Sequence, residues 1–108
     1  RRQRQMCIRD RHKMLFAQRI KEARIKNGLL QKELAIALNI DIPMYSRIER
    51  GDRFAKREQV IHLSSILNIE RDELLSLWIA DRVNAVIGED KNIADKALKI
   101  IVDDRIWK

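Results

Sequence analysis

Side chains that could contact nucleic-acid bases, by hydrogen bonds or by apolar contact, lie between residues 42 and 47 of the 108-residue chain. At helical spacing Tyr45 and Ile48 face one side of this stretch, so the residues between and before them face the other. An arginine on that outer side can pair with guanine, and apolar side chains can contact thymine methyl groups. The predicted base contacts are Ile42, Pro43, Met44 and Arg47. The alternatives are a packing role for Met44 and a solvated or phosphate-facing role for Arg47.

A second group of polar and basic side chains flanks this stretch and suits phosphate. Gln31 begins a predicted helix, where its amide, the free backbone N–H groups and the helix dipole all favour an anion. The predicted phosphate contacts are Gln31, Lys32, Ser46, Arg50, Arg53, Lys56 and Arg57. The alternatives are an ordinary exposed helix start at Gln31 and a solvated run of charge after residue 52.

The overall charge also favours an anionic partner, but its distribution is uneven. Lysine and arginine number 23 against 16 acidic residues, a net charge of +7. Residues 1–13 contain six of the basic residues and only Asp10, so this basic N-terminal strip contributes most of the excess. Residues 6–11 resemble translated sequencing adapter, so we expect the strip to be foreign or disordered and Met14 to be the natural start. The alternative is a basic arm that follows the DNA backbone.

Composition excludes several other classes of protein. Three glycines, one proline and 5% aromatic residues are too few for a loop-rich β-sandwich or barrel, which favours an all-α fold. No apolar run approaches the roughly 20 residues that span a bilayer, so no membrane partner is expected. Cys7 alone cannot form a disulfide scaffold, and a cytoplasmic location is expected.

An enzymatic function is not expected. Cys7, His12 and His62 are too scattered for a usual metal site. The sequence has no glycine-rich phosphate loop and no nucleophile elbow. The sequence therefore predicts no catalytic residue, no metal and no cofactor.

Hydrophobic periodicity and the three glycines predict six helices. Their predicted ranges are 15–27, 31–38, 42–50, 57–68, 70–87 and 92–102. The second and third are joined by only Asn39, Ile40 and Asp41, so they must cross steeply, as in a helix-turn-helix. Ala35 allows close approach, Asn39 tolerates positive φ, and Asp41 is a good N-cap.

Two strings in this region carry a family resemblance. Gly-Leu-Leu-Gln-Lys-Glu-Leu-Ala at 28–35 and Ser-Arg-Ile-Glu-Arg-Gly at 46–51 resemble the Cro and CI-type phage-repressor family, also called the XRE family. The resemblance covers about residues 15–77. Residues 74–83 are in addition similar to regulators found beside restriction-modification genes. Three positions depart from the common pattern: Asn39 replaces a glycine, Tyr45 an aliphatic residue that needs no hydroxyl partner, and Ala55 a proline.

The resemblance implies a fold, a function and one structural ion pair. The fold is a five-helix, phage-repressor-like helix-turn-helix domain over residues 14–80, followed here by a C-terminal helical extension over 81–108. The function is sequence-specific binding of double-stranded DNA, as a homodimer on a two-fold symmetric operator, to regulate transcription. The family pairs an arginine late in the first helix with a glutamate late in the third, here Arg24 and Glu49.

The fifth helix is predicted to carry the dimer interface, because its apolar surface is wider than one neighbouring helix would cover. The predicted interface residues are Leu74, Leu75, Leu77, Trp78, Val83, Val86 and Ile87. The sixth helix, with Ile93, Ala97, Ile100 and Ile101 on its apolar side, is expected either to fold back over this surface or to pair between subunits. The alternative function is an antitoxin or protein-interaction module, whose fifth helix would bind a partner protein of unknown identity.

Overall fold

The computed structural model describes residues 14–106. The basic N-terminal strip, Cys7, His12 and Trp107 lie outside the described residues. Within residues 14–106 the only regular structure is helical, which confirms the predicted all-α class. The helices are α1 (Leu15–Lys26), α2 (Gln31–Leu38), α3 (Ile42–Arg50), α4 (Arg57–Leu67), α5 (Arg71–Ile87) and α6 (Lys91–Ile106).

The helix ends follow from local sequence. Asn39 and Asn68 end α2 and α4 in the left-handed region, with φ of 60° and 58°. Gly51 ends α3 at φ 85°, where a Cβ would also collide with the Met14 side chain. The predicted bounds of α6 were too narrow. The helix begins at Lys91 and continues past Val102, because Asp103, Asp104 and Arg105 contain no helix-breaking residue.

Helices α1 to α5 enclose one hydrophobic core. Its fully buried side chains come from every one of these helices: Ile20, Leu34, Tyr45, Ile48, Val60, Leu63 and Leu74. Burying a side chain of this size stabilises the fold by about 1.5–3 kcal/mol relative to exposure. The core therefore holds α2 and α3 on a rigid support.

Two residues predicted at the dimer interface belong to this core instead. Leu74 and Leu75 are 0% and 7% exposed. The first half of α5 packs against both α1 and α4, so these leucines are covered within one chain. For Leu74 and Leu75 the interface prediction was wrong, because two neighbouring helices, rather than one, cover this part of α5. Leu77, Trp78, Val83 and Ile87 are half-buried, and Val86 is exposed.

Asp81 connects the middle of α5 to the start of α1. Its two carboxylate oxygens accept hydrogen bonds from the backbone N–H groups of Leu15 and Phe16, each at 2.8 Å. The first turn of a helix has unpaired N–H donors, and a carboxylate there both caps them and suits the helix dipole. The domain boundary predicted between residues 80 and 81 therefore falls inside α5, next to a residue that holds α1 in place.

Burial raises the pKa of the Asp81 carboxyl, and the hydrogen bonds from Phe16 and Leu15 offset part of that rise. The side chain is 2% exposed. The site therefore disfavours the charged form of Asp81 through burial, although the carboxylate caps the start of α1.

Helix α6 lies beyond this core. Ala94 is buried, and Leu98 lines a cavity of about 550 Å³ with Met14, Asp81 and Asn84. The opposite side of α6 remains exposed. None of the helices within residues 14–106 is long and apolar enough to span a membrane.

Candidate nucleic-acid interface

The turn between α2 and α3 places the two helices as a helix-turn-helix. Ala35 is 1% exposed, and its carbonyl accepts the Ile40 N–H at 3.0 Å, which closes the end of α2. The Asp41 side chain then caps α3 by accepting the Met44 N–H at 2.7 Å. The left-handed Asn39 and the Asp41 cap were both predicted, and both are confirmed.

Helix α3 has one anchored face and one open face. Tyr45, Ile48 and Glu49 are buried against α1 and α2. Ile42, Pro43 and Arg47 are exposed on the opposite side. The structure thus brings three of the four predicted base-contacting residues to one open surface. Met44 is half-buried and packs against the core, so the packing role left open for it applies to part of its side chain.

Glu49 is the centre of a hydrogen-bond network that fixes α3 to α1 and α2. Its two carboxylate oxygens accept bonds from Arg24 Nε and Nη2, at 2.8 and 3.0 Å, which makes a bidentate ion pair. Gln31 Nε2 and the Tyr45 hydroxyl each donate to the same carboxylate at 2.8 Å. Arg24 Nη1 also donates to the Leu29 carbonyl at 3.0 Å. The hydroxyl partner that Tyr45 requires is therefore Glu49.

The charges in this network stabilise each other. Burial by itself raises the pKa of Glu49, but the hydrogen bonds from Arg24, Gln31 and Tyr45 outweigh it and hold the pKa below its ordinary value. The bond to Glu49 raises the pKa of Arg24. Burial and the neighbouring Glu49 carboxylate together raise the pKa of the Tyr45 phenol. The carboxylate and guanidinium are thus both held in their charged forms.

The predicted phosphate contacts lie in different environments. Lys32, Arg53, Lys56 and Arg57 are exposed. Arg50 donates to Asp52 at 3.0 Å and to the hydroxyl of the half-buried Ser46 at 3.2 Å. One N–H of the Gln31 side-chain amide is donated within the protein to Glu49, so its second amide N–H and the helix-start backbone N–H groups are the donors that this bond leaves for phosphate.

A contact that the sequence analysis missed holds the loop after α3. Trp78 Nε1 donates to the Ala55 carbonyl at 2.8 Å. The Arg82 guanidinium lies 5.0 Å from the Trp78 ring centroid and 5.5 Å from that of Phe54. Cation–π contacts of this kind contribute about 0.5–1 kcal/mol at exposed sites. Residues 51–56, which include Arg53 and Lys56, are thereby fastened to α5.

Comparison with known proteins identifies this arrangement. A family model described as helix-turn-helix matches residues 20–74, slightly more than half of the chain. The chain belongs to the XRE family of helix-turn-helix proteins. The match runs from the middle of α1 to the beginning of α5, and thus contains α2, α3 and the Glu49 network.

Two relatives of this XRE-family chain are regulators of Bacillus subtilis (strain 168). The HTH-type transcriptional regulator ImmR is 40% identical over 62 residues, which are 57% of this chain and 49% of ImmR. The chain therefore spans about half the length of that relative. The uncharacterized HTH-type transcriptional regulator YqaE is 30% identical over 91 residues, 82% of this chain and 69% of YqaE. No solved structure gives a significant match.

The family and the names of the two relatives support a DNA-binding transcriptional regulator. They indicate regulation rather than catalysis. The likeness of residues 74–83 to regulators beside restriction-modification genes stays a prediction.

Proposed function

We propose that this XRE-family regulator binds a two-fold symmetric operator as a homodimer, with α3 in the major groove of each half-site. The observation that carries the proposal is the division of α3 into an anchored face of Tyr45, Ile48 and Glu49 and an open face ending in Arg47. A helix that reads bases must expose short and long side chains toward the groove while its backbone is held still. The proposal includes a cytoplasmic location, where such a regulator would meet its operator.

Within the open face, each side chain has a chemistry suited to a base edge. Arg47 can donate two hydrogen bonds to guanine O6 and N7. Ile42 is 45% exposed and suits a thymine methyl group, and Pro43 and the exposed part of Met44 extend the same apolar surface. These four residues are the proposed base contacts.

Phosphate contacts on both sides of α3 would position it. Lys32 and the helix-start N–H groups beside Gln31 lie on α2, while Arg53, Lys56 and Arg57 lie on the loop after α3 and at the start of α4. Ser46 and Arg50 would contact the DNA backbone from α3 itself. Arg50 would give up its contact with Asp52 in order to bind phosphate. Such contacts set the register of a protein on DNA but carry little sequence information.

A homodimer follows from the energetics of so small a reading surface. One short helix with a single arginine binds a half-site weakly. Joining two copies makes the second binding event intramolecular and raises affinity without a new contact to either half-site. Two recognition helices that bind one face of DNA would lie one helical turn apart, roughly 34 Å.

Because base contacts and phosphate contacts have different roles, one arginine variant and one lysine variant should affect DNA binding differently. Arg47→Ala should weaken binding by about 1–3 kcal/mol per half-site and relax preference at one base pair of each half-site. Lys56→Ala should weaken all sequences alike and reduce the dependence of log K on log salt by about one unit per subunit. Gel shifts at several salt concentrations, on duplexes selected from a random library, measure both effects.

Lys99→Ala is the matched control, because Lys99 is an exposed lysine on α6, outside the proposed contacts. It should leave affinity and preference close to wild type. An equal loss of sequence preference in the Arg47 and Lys56 variants would contradict the assigned roles.

The contact between α5 and the loop after α3 gives a smaller prediction. Trp78→Phe keeps an aromatic ring but removes the indole N–H that donates to the Ala55 carbonyl. The free energy of unfolding should therefore fall by about 1 kcal/mol. DNA binding should weaken by a similar factor on every sequence, because the loop carries phosphate contacts rather than base contacts. Urea unfolding and the same gel shifts measure the two quantities. A change in base preference would instead place Trp78 in the base-reading machinery.

A further inference from the structure

Helix α6 has two apolar faces with different surroundings. Ala94 and Leu98 face the body of the protein, where Ala94 is buried and Leu98 lines the cavity beside Asp81. Ile93, Ile100 and Ile101 are 62%, 68% and 52% exposed, and Ala97 is exposed between them. The described residues therefore leave an apolar face of α6 uncovered, and soluble proteins usually cover such a face with a partner.

The spacing of this second face is that of a helix-pairing seam. Ile93, Ala97, Ile100 and Asp104 are separated by four, three and four residues, the a and d positions of a heptad repeat. Ala97 is small enough to let a second helix approach closely at the centre of the seam. Ala94 lies about a quarter of a turn from the seam, and Leu98, which is 40% exposed, lies farther round the helix, so a partner would pack beside the body rather than displace it.

The charges beside the seam favour one direction of pairing with a second copy. Lys96 directly precedes Ala97, and Asp103 directly precedes Asp104. Both charged side chains therefore lie on the same flank of the seam. In an antiparallel pair the equivalent flanks meet, and Lys96 of one copy lies beside Asp103 of the other, twice by symmetry. In a parallel pair Lys96 would face Ile101, and the ion pair with Asp103 would not form.

We propose that α6 pairs antiparallel with α6 of a second copy of this chain. Ile93, Ala97 and Ile100 are the apolar residues of the seam, with Ala97 opposite the partner's Ile100 and Asp104 at the end of the seam opposite the partner's Ile93, and two symmetric Lys96–Asp103 ion pairs set the register. The proposal rests on the homodimer proposed above, and it moves the interface from α5 to α6. It commits to a second copy because this helix complements its own charge pattern.

The pairing is expected to be of moderate strength. Sixteen residues make a helix about 24 Å long, which is short for a coiled coil. Dimers should therefore form at micromolar concentration and depend on salt, because the ion pairs lie at an exposed flank.

Charge exchange across the flank tests the register. Lys96→Glu leaves only acidic side chains on the flank, and Asp103→Lys leaves only basic ones. Each variant alone should dimerise at least about fivefold more weakly than wild type, because two attractive pairs become repulsive. An equimolar mixture of the two full-length variants should form heterodimers about as tightly as wild type forms homodimers. Sedimentation equilibrium measures all three dissociation constants.

Two controls separate pairing from folding. Lys99→Glu makes the same charge change on a part of α6 that faces neither the seam nor the body, and it should leave dimerisation unchanged. Ile100→Asp should abolish the dimer while circular dichroism shows unchanged helical content, because the residue is already 68% exposed in one chain.

The outcomes distinguish this inference from the proposed function. If wild type is dimeric but the mixture does not recover affinity, the α6 register is wrong and the homodimer stands. If wild type is monomeric at tens of micromolar and binds a single half-site tightly, both are wrong. Recovery in the mixture, with Lys99→Glu unchanged, supports the antiparallel α6 pair.

Discussion

Glu49→Ala is expected to lower the free energy of unfolding by about 3–5 kcal/mol, the largest effect of any single substitution considered. The substitution leaves the Arg24 guanidinium, whose side chain is only 14% exposed, without a counterion, and it removes the acceptor used by Gln31 and the Tyr45 hydroxyl. A buried charge that loses its partner costs far more than the intact pair contributes, since desolvation is no longer offset. Urea unfolding followed by circular dichroism measures the loss.

The exposed ion pair between Arg50 and Asp52 provides a control within the same region. Both side chains are 60% exposed, so Asp52→Ala should change the free energy of unfolding by less than about 1 kcal/mol. Equal effects of the Glu49 and Asp52 substitutions would show that the Glu49 network contributes nothing beyond an ordinary surface pair.

The Glu49 network also predicts a pH dependence. The folded protein holds the pKa of Glu49 below 4.5, its ordinary value, so the unfolded chain takes up the proton first as pH falls. The stability that this group contributes is present above pH 4.5 and is lost as pH falls through the lower pKa of the folded state. Glu49→Ala should therefore show a flatter decline of stability below that pH than wild type.

Asp81→Ala should produce the second-largest loss, about 2–4 kcal/mol. It removes one carboxylate that satisfies two backbone donors. A buried donor left unpaired costs about 1–3 kcal/mol, whereas the Leu15 N–H lies on a residue that is 40% exposed, where water can replace part of the lost bond. The loss should appear first at the start of α1, where the amide protons of Leu15 and Phe16 should exchange faster with solvent. Thermal unfolding and hydrogen exchange measure the two effects.

Two further variants define what the Asp81 carboxylate does. Asp81→Asn keeps one acceptor oxygen and should lose roughly half as much stability. Glu89→Ala, an exposed acidic residue after the same helix, should leave stability unchanged. Unchanged exchange at Leu15 and Phe16 in Asp81→Ala would contradict the capping role.

Asp81 also predicts a pH dependence. Because burial raises the pKa of Asp81 above 3.8, the difference in unfolding free energy between wild type and Asp81→Ala should narrow as pH rises through that raised value.

Local patterns were sufficient to predict the geometry of the turn and of α3. The turn at Asn39, the cap at Asp41 and the opposite faces of α3 all depend on residues within a few positions of one another. The link between Arg24 and Glu49 came from the family resemblance, and the structure adds Gln31 and Tyr45 to it. Short-range spacing thus predicts a local motif well.

Long-range packing explains what was missed. Leu74 and Leu75 were predicted to lie at a dimer interface because the sequence does not show that α1 as well as α4 covers this part of α5. Asp81 pairs with backbone N–H groups, which leave no mark in the sequence at residues 15 and 16. One signal was available: Asp81 follows Leu74 and Trp78 at intervals of seven and three residues, and a charge on that inner stripe of α5 requires a buried partner.

The capping of α1 by Asp81 has a consequence for the order in which the protein folds during synthesis. A helix of twelve residues is only marginally stable in isolation, and the group that completes this one is separated from it by 65 residues of sequence. The ribosome makes α2 and α3 before it makes Asp81, so both are tethered to an unfinished first helix while α5 is still being synthesised. Contacts between residues far apart in the sequence slow folding and delay it until late in translation. A nascent chain should therefore gain a fixed α3 only after the middle of α5 has emerged.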